Sequence, residues 1–372
     1  MTLCPADKCS GCGACAAVCP VGCISMREDA FGVSHPEIGP SCTECGLCAQ
    51  TCPVLNPLHL HEPSKCYAGW NSDSEERRLS ASGGVAALLA RLYAGRVYGT
   101  AWSDSFMAEV KSGNAEDFKG SKYVQSHFSE DTYREIKSRL KSGEKLLFIG
   151  TPCQVAGLLN FVGDAAEGLL TADLLCHGVC PERYLTEELG HLRKGRNLTD
   201  VRFRSNDKYN FHLTLWDGDK CFYDKDQKLQ PYFRAFLEGI SLRENCYSCQ
   251  YSKPERPGDL TLGDFIGLDG QVSSVSVNTT KGSEALKELS AKFPELQLVE
   301  HPYSDRLAYR PSIMEPFKKS PLRAKFLDNY LQSGFCRAVR KTLFKDIVKS
   351  YATIAYWKIH HIGHLIKKRL LK

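Results

Sequence analysis

Eight cysteines near the amino end of the sequence occur in two runs with identical spacing. The first run is Cys9-x2-Cys12-x2-Cys15-x3-Cys19-Pro20, and the second is Cys42-x2-Cys45-x2-Cys48-x3-Cys52-Pro53. Three thiolates at two-residue gaps can bind three corners of a 4Fe–4S cube, and the cysteine before the proline then reaches the other cube of a pair. The repeat therefore predicts one cluster held by Cys9, Cys12, Cys15 and Cys52, and a second held by Cys42, Cys45, Cys48 and Cys19.

This spacing is that of a bacterial two-cluster ferredoxin, which is an electron carrier. The alternative is a pair of zinc sites, because four cysteines in a tetrahedron also suit zinc. Zinc loops seldom use three cysteines at two-residue gaps followed by Cys-Pro, so we favour the clusters. Small residues beside the cysteines let backbone N–H groups approach the sulfurs, which helps to set the cluster potential. They are Gly11, Gly13, Ala14, Gly46 and Ala49.

A second constellation of cysteines lies in the body of the chain: Cys153, Cys176, Cys246 and Cys249. Cys153 and Cys176 follow predicted strands, where an α/β fold gathers its sites. Four thiolates are enough for a third cube, and the alternative is that these are buried apolar cysteines. The adjacent His177 is either a ligand or a hydrogen-bonding partner. The other six are interpreted as packing or surface residues: Cys4, Cys23, Cys66, Cys180, Cys221 and Cys336.

A glycine-led helix start occurs at Ser80–Gly84, just before the apolar run Val85–Ala90. Free N–H groups at a helix amino end suit a phosphate. The alternative, a plain serine N-cap, explains the segment equally well. No G-x-G-x-x-G stands at a strand-to-helix turn, so the nicotinamide dinucleotide fingerprint is missing.

The elements that must position these residues follow from the hydrophobic pattern. Residues 1–58 form the predicted two-cluster domain, and turn signals follow it. Residues 64–335 alternate short apolar strands with helices, which predicts a mixed α/β body with helices covering a sheet. Asp217-Gly218 predicts a hairpin, so part of the sheet is expected to be antiparallel. Residues 336–372 form a predicted basic helical tail. The fold class is thus α+β / α/β.

Composition limits the function. The chain has 372 residues, of which 42% are hydrophobic and 24% charged, and a net charge of +5 that is concentrated in the last forty residues. The near-neutral body argues against nucleic acid as a partner. Thiolate ligands need a reducing compartment, the first residues lack a leader pattern, and no apolar run reaches about eighteen residues. We therefore expect a cytoplasmic protein.

The tail carries an apolar stripe over Ile347 to Leu371 that steps by three or four residues, with lysines around it. That pattern suits a helix lying on an anionic membrane surface, at the inner face of the membrane. The alternative is a terminal helix that packs on its own domain, and we favour this alternative slightly.

With these residues in hand, the body resembles the beta subunit of coenzyme F420-reducing hydrogenase and its dehydrogenase relatives. The matching segments occur in family order from about residue 65 to 310. They are Ser82–Gly84, Gly120–Ser126, Gly150–Gln154, Cys176–Gly178, Cys246–Cys249, Leu262–Phe265 and Asn278–Gly282.

The resemblance implies a flavin, which we expect to be FAD with FMN as the alternative, beside a third 4Fe–4S cluster held by Cys153, Cys176, Cys246 and Cys249. It places Ser82, Gly83 and Gly84 at the flavin phosphate turn. It also implies that Lys122, Tyr123, Gln125, Ser126 and Lys281 line the flavin pocket. The alternative for these last five is an ordinary structural or surface role.

The predicted function is that of an iron–sulfur flavoprotein oxidoreductase that passes electrons between 4Fe–4S clusters and a two-electron substrate at the flavin. The partner would be ferredoxin or another redox protein, and the small-molecule substrate is not specified by the sequence. Two alternatives are a non-catalytic electron-transfer subunit of a larger redox complex and a zinc-binding regulatory protein.

Overall fold

The computed structural model describes residues 3–204, 211–305, 315–353 and Tyr356. Its amino-terminal part is a small domain of two short helices, α1 (Ala14–Val18) and α2 (Leu47–Thr51), and a hairpin, β1 (Ile24–Glu28) and β2 (Ser34–Ile38). Both helices begin after a glycine in the left-handed region, Gly13 at φ 83° and Gly46 at φ 77°. A side chain would be strained there, so the two glycines allow the same turn in both cysteine runs.

An eight-stranded sheet forms the centre of the body, with the spatial order β13-β3-β12-β11-β7-β6-β4-β5. Its strands are β3 (Lys65–Asn71), β4 (Val97–Trp102), β5 (Ala108–Gly113), β6 (Leu146–Gly150), β7 (Leu169–Leu174), β11 (Leu260–Asp264), β12 (Ser273–Val277) and β13 (Leu296–His301). Strands β4, β6, β7 and β11 are parallel neighbours, whereas β12 runs antiparallel between β11 and β3. The carboxyl ends of the four parallel strands therefore meet at one edge, which we call the carboxyl edge.

Helices cover both faces of this sheet. They are α3 (Ser74–Leu79), α4 (Val85–Leu92), α5 (Ala115–Phe118), α6 (Glu130–Lys141), α7 (Pro152–Val162), α8 (Glu182–Arg193), α9 (Pro231–Leu237), α10 (Thr280–Lys292), α11 (Arg323–Ser333) and α12 (Phe335–Thr342). Helices α4 and α10 bury their apolar residues on one face, and α6 and α7 on the other. The expected mixed α/β architecture is confirmed.

A third core lies beside the sheet. Helices α8, α9, α11 and α12 pack against a three-stranded sheet of β8 (Asp200–Arg202), β9 (His212–Asp217) and β10 (Lys220–Asp226). The predicted hairpin at Asp217-Gly218 is present between β9 and β10. Because Phe335, Ala338 and Val339 are fully buried in this core, the body extends past the boundary that we placed after residue 335.

The end of the chain tests the tail prediction only in part. Residues 344–353 are helical, but most of the stripe over Ile347 to Leu371 falls outside the described residues. Its contact with a membrane surface therefore stays a prediction. Within the described ranges, no helix has both the length and the apolar character needed to cross a bilayer.

Candidate functional site

The first cavity of the small domain collects one predicted set of ligands. Its walls include Cys9, Cys12, Cys15 and Cys52, and they border about 410 Å³ of space not filled by atoms, part of which is open to solvent. Cys52 comes from the second run, so this cavity brings together residues that the crossed assignment predicts to share a cluster.

The second cavity has the complementary composition. It is lined by Cys19, Cys42, Cys45 and Cys48, which border about 250 Å³ of space that is partly open to solvent. Cys48 also contributes to the wall of the first cavity, so the two spaces are neighbours. Among these thiols Cys45 is exposed, whereas Cys48 is buried. The second cavity is therefore the more accessible of the two from solvent.

Each cavity is also lined by a cysteine from outside the predicted ligand sets, Cys4 or Cys23, which we interpreted from the sequence as packing or surface residues. Cys4 lines the first cavity, and Cys23 lines the second with its Sγ 3.4 Å from Cys19 Sγ. The hydrogen bond from the Cys4 thiol is the main reason why the pKa of Cys9 is lowered to about 4. The spacing Cys19-x3-Cys23 was the sequence signal for one of these neighbours.

The third cysteine group is assembled by the carboxyl edge. Cys153 lies in the first turn of α7, directly after β6, and Cys176 follows β7. A capping box between Thr151 and Gln154 fixes the start of α7. Cys246 and Cys249 lie in and just after the 3-10 helix Glu244–Ser248.

Electrostatics shows that these four thiols lie near one another. Burial raises the pKa of Cys153, Cys176 and Cys246, for Cys246 to about 12. The charges of Cys246, Cys153 and Cys249 raise the pKa of Cys176 further. Thiols in this setting stay protonated unless a cation replaces the protons, and thiolate metal sites release protons in the same way. The donor set thus fits an iron–sulfur cube.

The zinc alternative needs three or four donors at one point. In the part of the chain that the structure describes, no three Cys, His, Asp or Glu side chains are placed to hold a single metal ion. The eight thiols of the small domain instead line two cavities, as ligands at the corners of multi-iron cubes would.

A buried ion pair holds the segment that follows Cys249. Arg256 donates from Nε and Nη2 to Asp173 Oδ1 at 2.9 and 2.7 Å, and Asp173 is fully buried in β7. Arg256 also donates to the carbonyl oxygens of Tyr251 and Leu174. The ion pair therefore attaches the Cys249 segment to the strand that precedes Cys176.

The small domain packs directly on the helix that carries Cys153. A Cβ on Gly157 of α7 would lie 2.9 Å from Cys12 Sγ and 3.2 Å from Tyr133 Oη. Tyr133 donates to Cys12 O at 2.9 Å. On the other side, Gln250 donates to Pro53 O at 2.9 Å. The first cavity and the third cysteine group are therefore neighbours across this junction.

Arg243 is a residue of the junction that sequence reasoning missed. Its side chain is fully buried and hydrogen-bonds to both domains. A single arginine in a loop has no spacing pattern, so only the structure could identify it. Gln125, which we expected in the flavin pocket, accepts one of its hydrogen bonds.

The residues predicted to bind the flavin phosphate lie at the carboxyl edge. Gly83 donates from N to Ser273 Oγ, and Ser82 donates from Oγ to Val272 O. A Cβ on Gly83 would lie 2.2 Å from Gly69 O, so this glycine is required by close packing on β3. Gly84, at φ 91°, begins α4.

Two further predicted flavin residues lie along the same edge. Tyr123 Oη accepts from Arg204, whose Nη2 donates to Asp264 Oδ2 at 2.8 Å. Asp264 is paired with Ser273, the partner of Gly83. Lys122 donates to Lys119 O, and desolvation lowers its pKa to about 8.

Ser126 lies beside the first turn of α7, whereas Lys281 is placed at the other edge of the sheet. Ser126 is buried, and its Oγ accepts from Gln154 Nε2 at 2.9 Å. Lys281 donates to Ala166 O and Leu169 O, beside the first residue of β7. That is the edge opposite to Ser82 and Gly83, so Lys281 and these residues do not line one pocket.

Comparisons with known proteins agree with the two-part organisation. Residues 8–56 match the family described as "4Fe-4S dicluster domain", and residues 143–300 match the C-terminal model of the family "Coenzyme F420 hydrogenase/dehydrogenase, beta subunit". A comparison with curated proteins finds no match. Among solved structures, the chain is similar to one from "Xenon derivatization of the F420-reducing [NiFe] hydrogenase complex from Methanosarcina barkeri". That match has 14% identity and a TM-score of 0.45, and covers 77% of this chain and 93% of the other.

The two family matches confirm the resemblance seen in the motifs and support an oxidoreductase role. The chain therefore joins a region that matches a 4Fe-4S dicluster domain to a region that matches the carboxyl-terminal domain of the coenzyme F420 hydrogenase/dehydrogenase beta subunit, which relates it to iron–sulfur electron-transfer subunits of that kind.

Proposed function

We propose that this protein is an oxidoreductase that moves electrons between an external redox protein and a two-electron substrate, through three cysteine-bound clusters and a flavin. The observation that carries the proposal is the packing of Cys12 against Gly157 of α7, four residues beyond Cys153. It makes the first cavity and the third cysteine group neighbours, so all three thiol sets form one continuous series.

The clusters would carry single electrons, and the flavin would collect two for a hydride-type reaction. The second cavity is the exposed end of this series of sites, and the third cysteine group is the buried end. The second cavity is accessible beside Cys45, whereas Cys246 of the third group is buried. A ferredoxin or another redox protein would therefore dock at the second cavity.

A flavin, FAD in our proposal, is supported by the contiguous polar residues of the carboxyl edge. The ammonium group of Lys122 is largely desolvated, and its one described hydrogen bond goes to a carbonyl oxygen, Lys119 O. Within the described residues no carboxylate lies at ion-pair distance from it. A phosphate would supply a close negative charge, because a desolvated ammonium group without one is costly.

One observation favours the alternative of a non-catalytic electron-transfer subunit. The Gly83 N–H and the Lys281 ammonium are satisfied by protein acceptors, so neither is free for a cofactor. In that case the chain would deliver electrons to a partner that contains the substrate site.

A matched pair of substitutions tests the flavin part. Lys122→Met should lower the flavin released per chain after denaturation several-fold, whereas Lys281→Met, at the opposite edge, should leave the flavin content unchanged. Flavin would be measured by fluorescence of the supernatant from anaerobically purified protein. Wild-type protein that contains the expected iron but no flavin would support the electron-transfer subunit instead. Zinc in place of iron would contradict both.

A further inference from the structure

Arg243 is a buried cation without a carboxylate partner. Its guanidinium group keeps its charge in a protein, and the side chain is fully buried. Within the described residues no Asp or Glu oxygen lies at ion-pair distance from it. The other two buried arginines named in the core, Arg256 and Arg323, do have carboxylate partners, Asp173 and Glu244. Arg243 therefore needs negative charge from another source, because an unpaired buried ion is strongly destabilising.

The acceptors around Arg243 are all neutral, and they come from both domains. Nη2 donates to Cys9 O at 3.0 Å and to Ser34 O at 3.1 Å in the small domain. Nη1 donates to Gln125 Oε1 at 2.7 Å, and Nε donates to Asn245 Oδ1 at 3.3 Å. These bonds fix the position of the guanidinium group but do not neutralise it.

The guanidinium group lies against the loop of the first ligand set. A Cβ on Gly11 would come within 2.9 Å of Arg243 Nη2 and 2.7 Å of Gln125 Nε2. The Gly11 N–H donates to Cys9 Sγ, so Gly11 contacts both that sulfur and the guanidinium group. Gly11, at φ 67°, leaves the space that the guanidinium group fills.

The same residue lies beside the third cysteine group. Cys246 donates from N to Arg243 O at 3.1 Å, within the same turn. Cys246 thus follows Arg243 by three residues, whereas Cys9 O accepts from the guanidinium group itself. Arg243 therefore contacts one residue from each of two thiol sets.

We propose that Arg243 is a shared counter-charge for the first and third cysteine sites and raises the reduction potential of both. A cube with four thiolate ligands is an anion, and reduction adds one more negative charge. A fixed cation nearby favours the reduced form, so it raises the potential. Arg243 would thereby make the two sites on either side of the junction better electron acceptors. This inference rests on the proposed function.

The test is a redox titration of the anaerobically purified full chain, followed by electron paramagnetic resonance, with iron counted for each variant. Gln125→Glu places a carboxylate on Arg243 without removing a hydrogen-bond acceptor, so it neutralises the cation with little change of shape. Arg243→Lys keeps the positive charge but replaces the planar guanidinium group by an ammonium group. Arg323→Met removes a buried arginine that has its own carboxylate partner.

We expect Gln125→Glu to shift two of the three midpoint potentials downward and leave the third unchanged. Arg243→Lys should retain most of the wild-type values, and Arg323→Met should shift none. Loss of iron from these sites in Gln125→Glu, with retention in Arg243→Lys, would equally show that the charge is required. Unchanged potentials in Gln125→Glu, or iron loss in Arg243→Lys as well, would overturn the proposal. Wild-type protein with only two clusters would refute the three-cluster path. The midpoint potential of the cluster at Cys9 would then still test whether Arg243 raises it.

Discussion

The small domain and the body build their cysteine sites in different ways. In the small domain, each cavity is lined by three thiols from one short run and at least one from the other, within residues 9–52. In the body, the third group takes Cys153 from the start of α7, Cys176 from the end of β7, and two cysteines from a segment seventy residues later. The first arrangement depends on local turns. The second depends on the sheet that brings distant segments to one edge.

This difference predicts different sensitivities to damage. The turns of the two runs are set by glycines such as Gly13 and Gly46, and they form wherever the runs fold together. The third group exists only while β6, β7 and the Cys249 segment keep their positions. Destabilising the body should therefore remove iron from the third group first.

The largest effect is expected from the ion pair that holds the Cys249 segment. Arg256→Met leaves the fully buried Asp173 without its cation, which should lower the free energy of unfolding by about 3–5 kcal/mol. Iron of the third group should be lost under conditions in which the small domain retains its own. Anaerobic urea unfolding and iron analysis would measure both effects.

The control for that variant is Arg134→Met. Arg134 pairs with Glu130 and Asp131 on the surface of α6, where the loss should be about 0–1 kcal/mol. Equal losses of stability and iron in both variants would show that the Asp173–Arg256 pair does not hold the third group.

A smaller effect is expected at the junction between the two regions. Gly157→Ala should lower the free energy of unfolding by about 1–3 kcal/mol, because the new Cβ would lie 2.9 Å from Cys12 Sγ. The substitution otherwise favours a helix. The matched control is Gly190→Ala in α8, where a Cβ meets nothing within 4 Å. That variant should raise the free energy of unfolding by about 0.4–1 kcal/mol. If thermal unfolding shows the same gain for both, the small domain does not pack on α7 as described.

The comparison also explains what the sequence could reveal. The two cavities follow from cysteine spacing alone, and the hairpin between β9 and β10 follows from the Asp217-Gly218 turn signal. Helix α6 was not predicted, although Tyr133, Ile136 and Leu140 have helical spacing and are buried. In a mostly polar helix such as α6, only these few apolar residues mark the buried face, so the sequence pattern is weak.

The position of Lys281 could not be read from the sequence, because it depends on the direction of one strand. Strand β12 runs antiparallel to β11, so α10, which follows it, begins at the edge opposite to the cysteines. An apolar run in the sequence predicts a strand, but it does not specify whether that strand is parallel or antiparallel to its neighbour. Arg243 was missed for a related reason, since its role comes from contacts between two domains that are far apart in sequence.

The central claim is that the body holds a cluster of its own, and the iron content of Cys246→Ser tests it most directly. A serine hydroxyl is a poor ligand for a soft iron–sulfur cube, and cubes are generally lost whole. We predict about twelve irons per chain in the wild type and about eight in the variant, with the resonance signals of the small domain unchanged. Full iron content in Cys246→Ser would contradict the account, and the four body cysteines would then be structural.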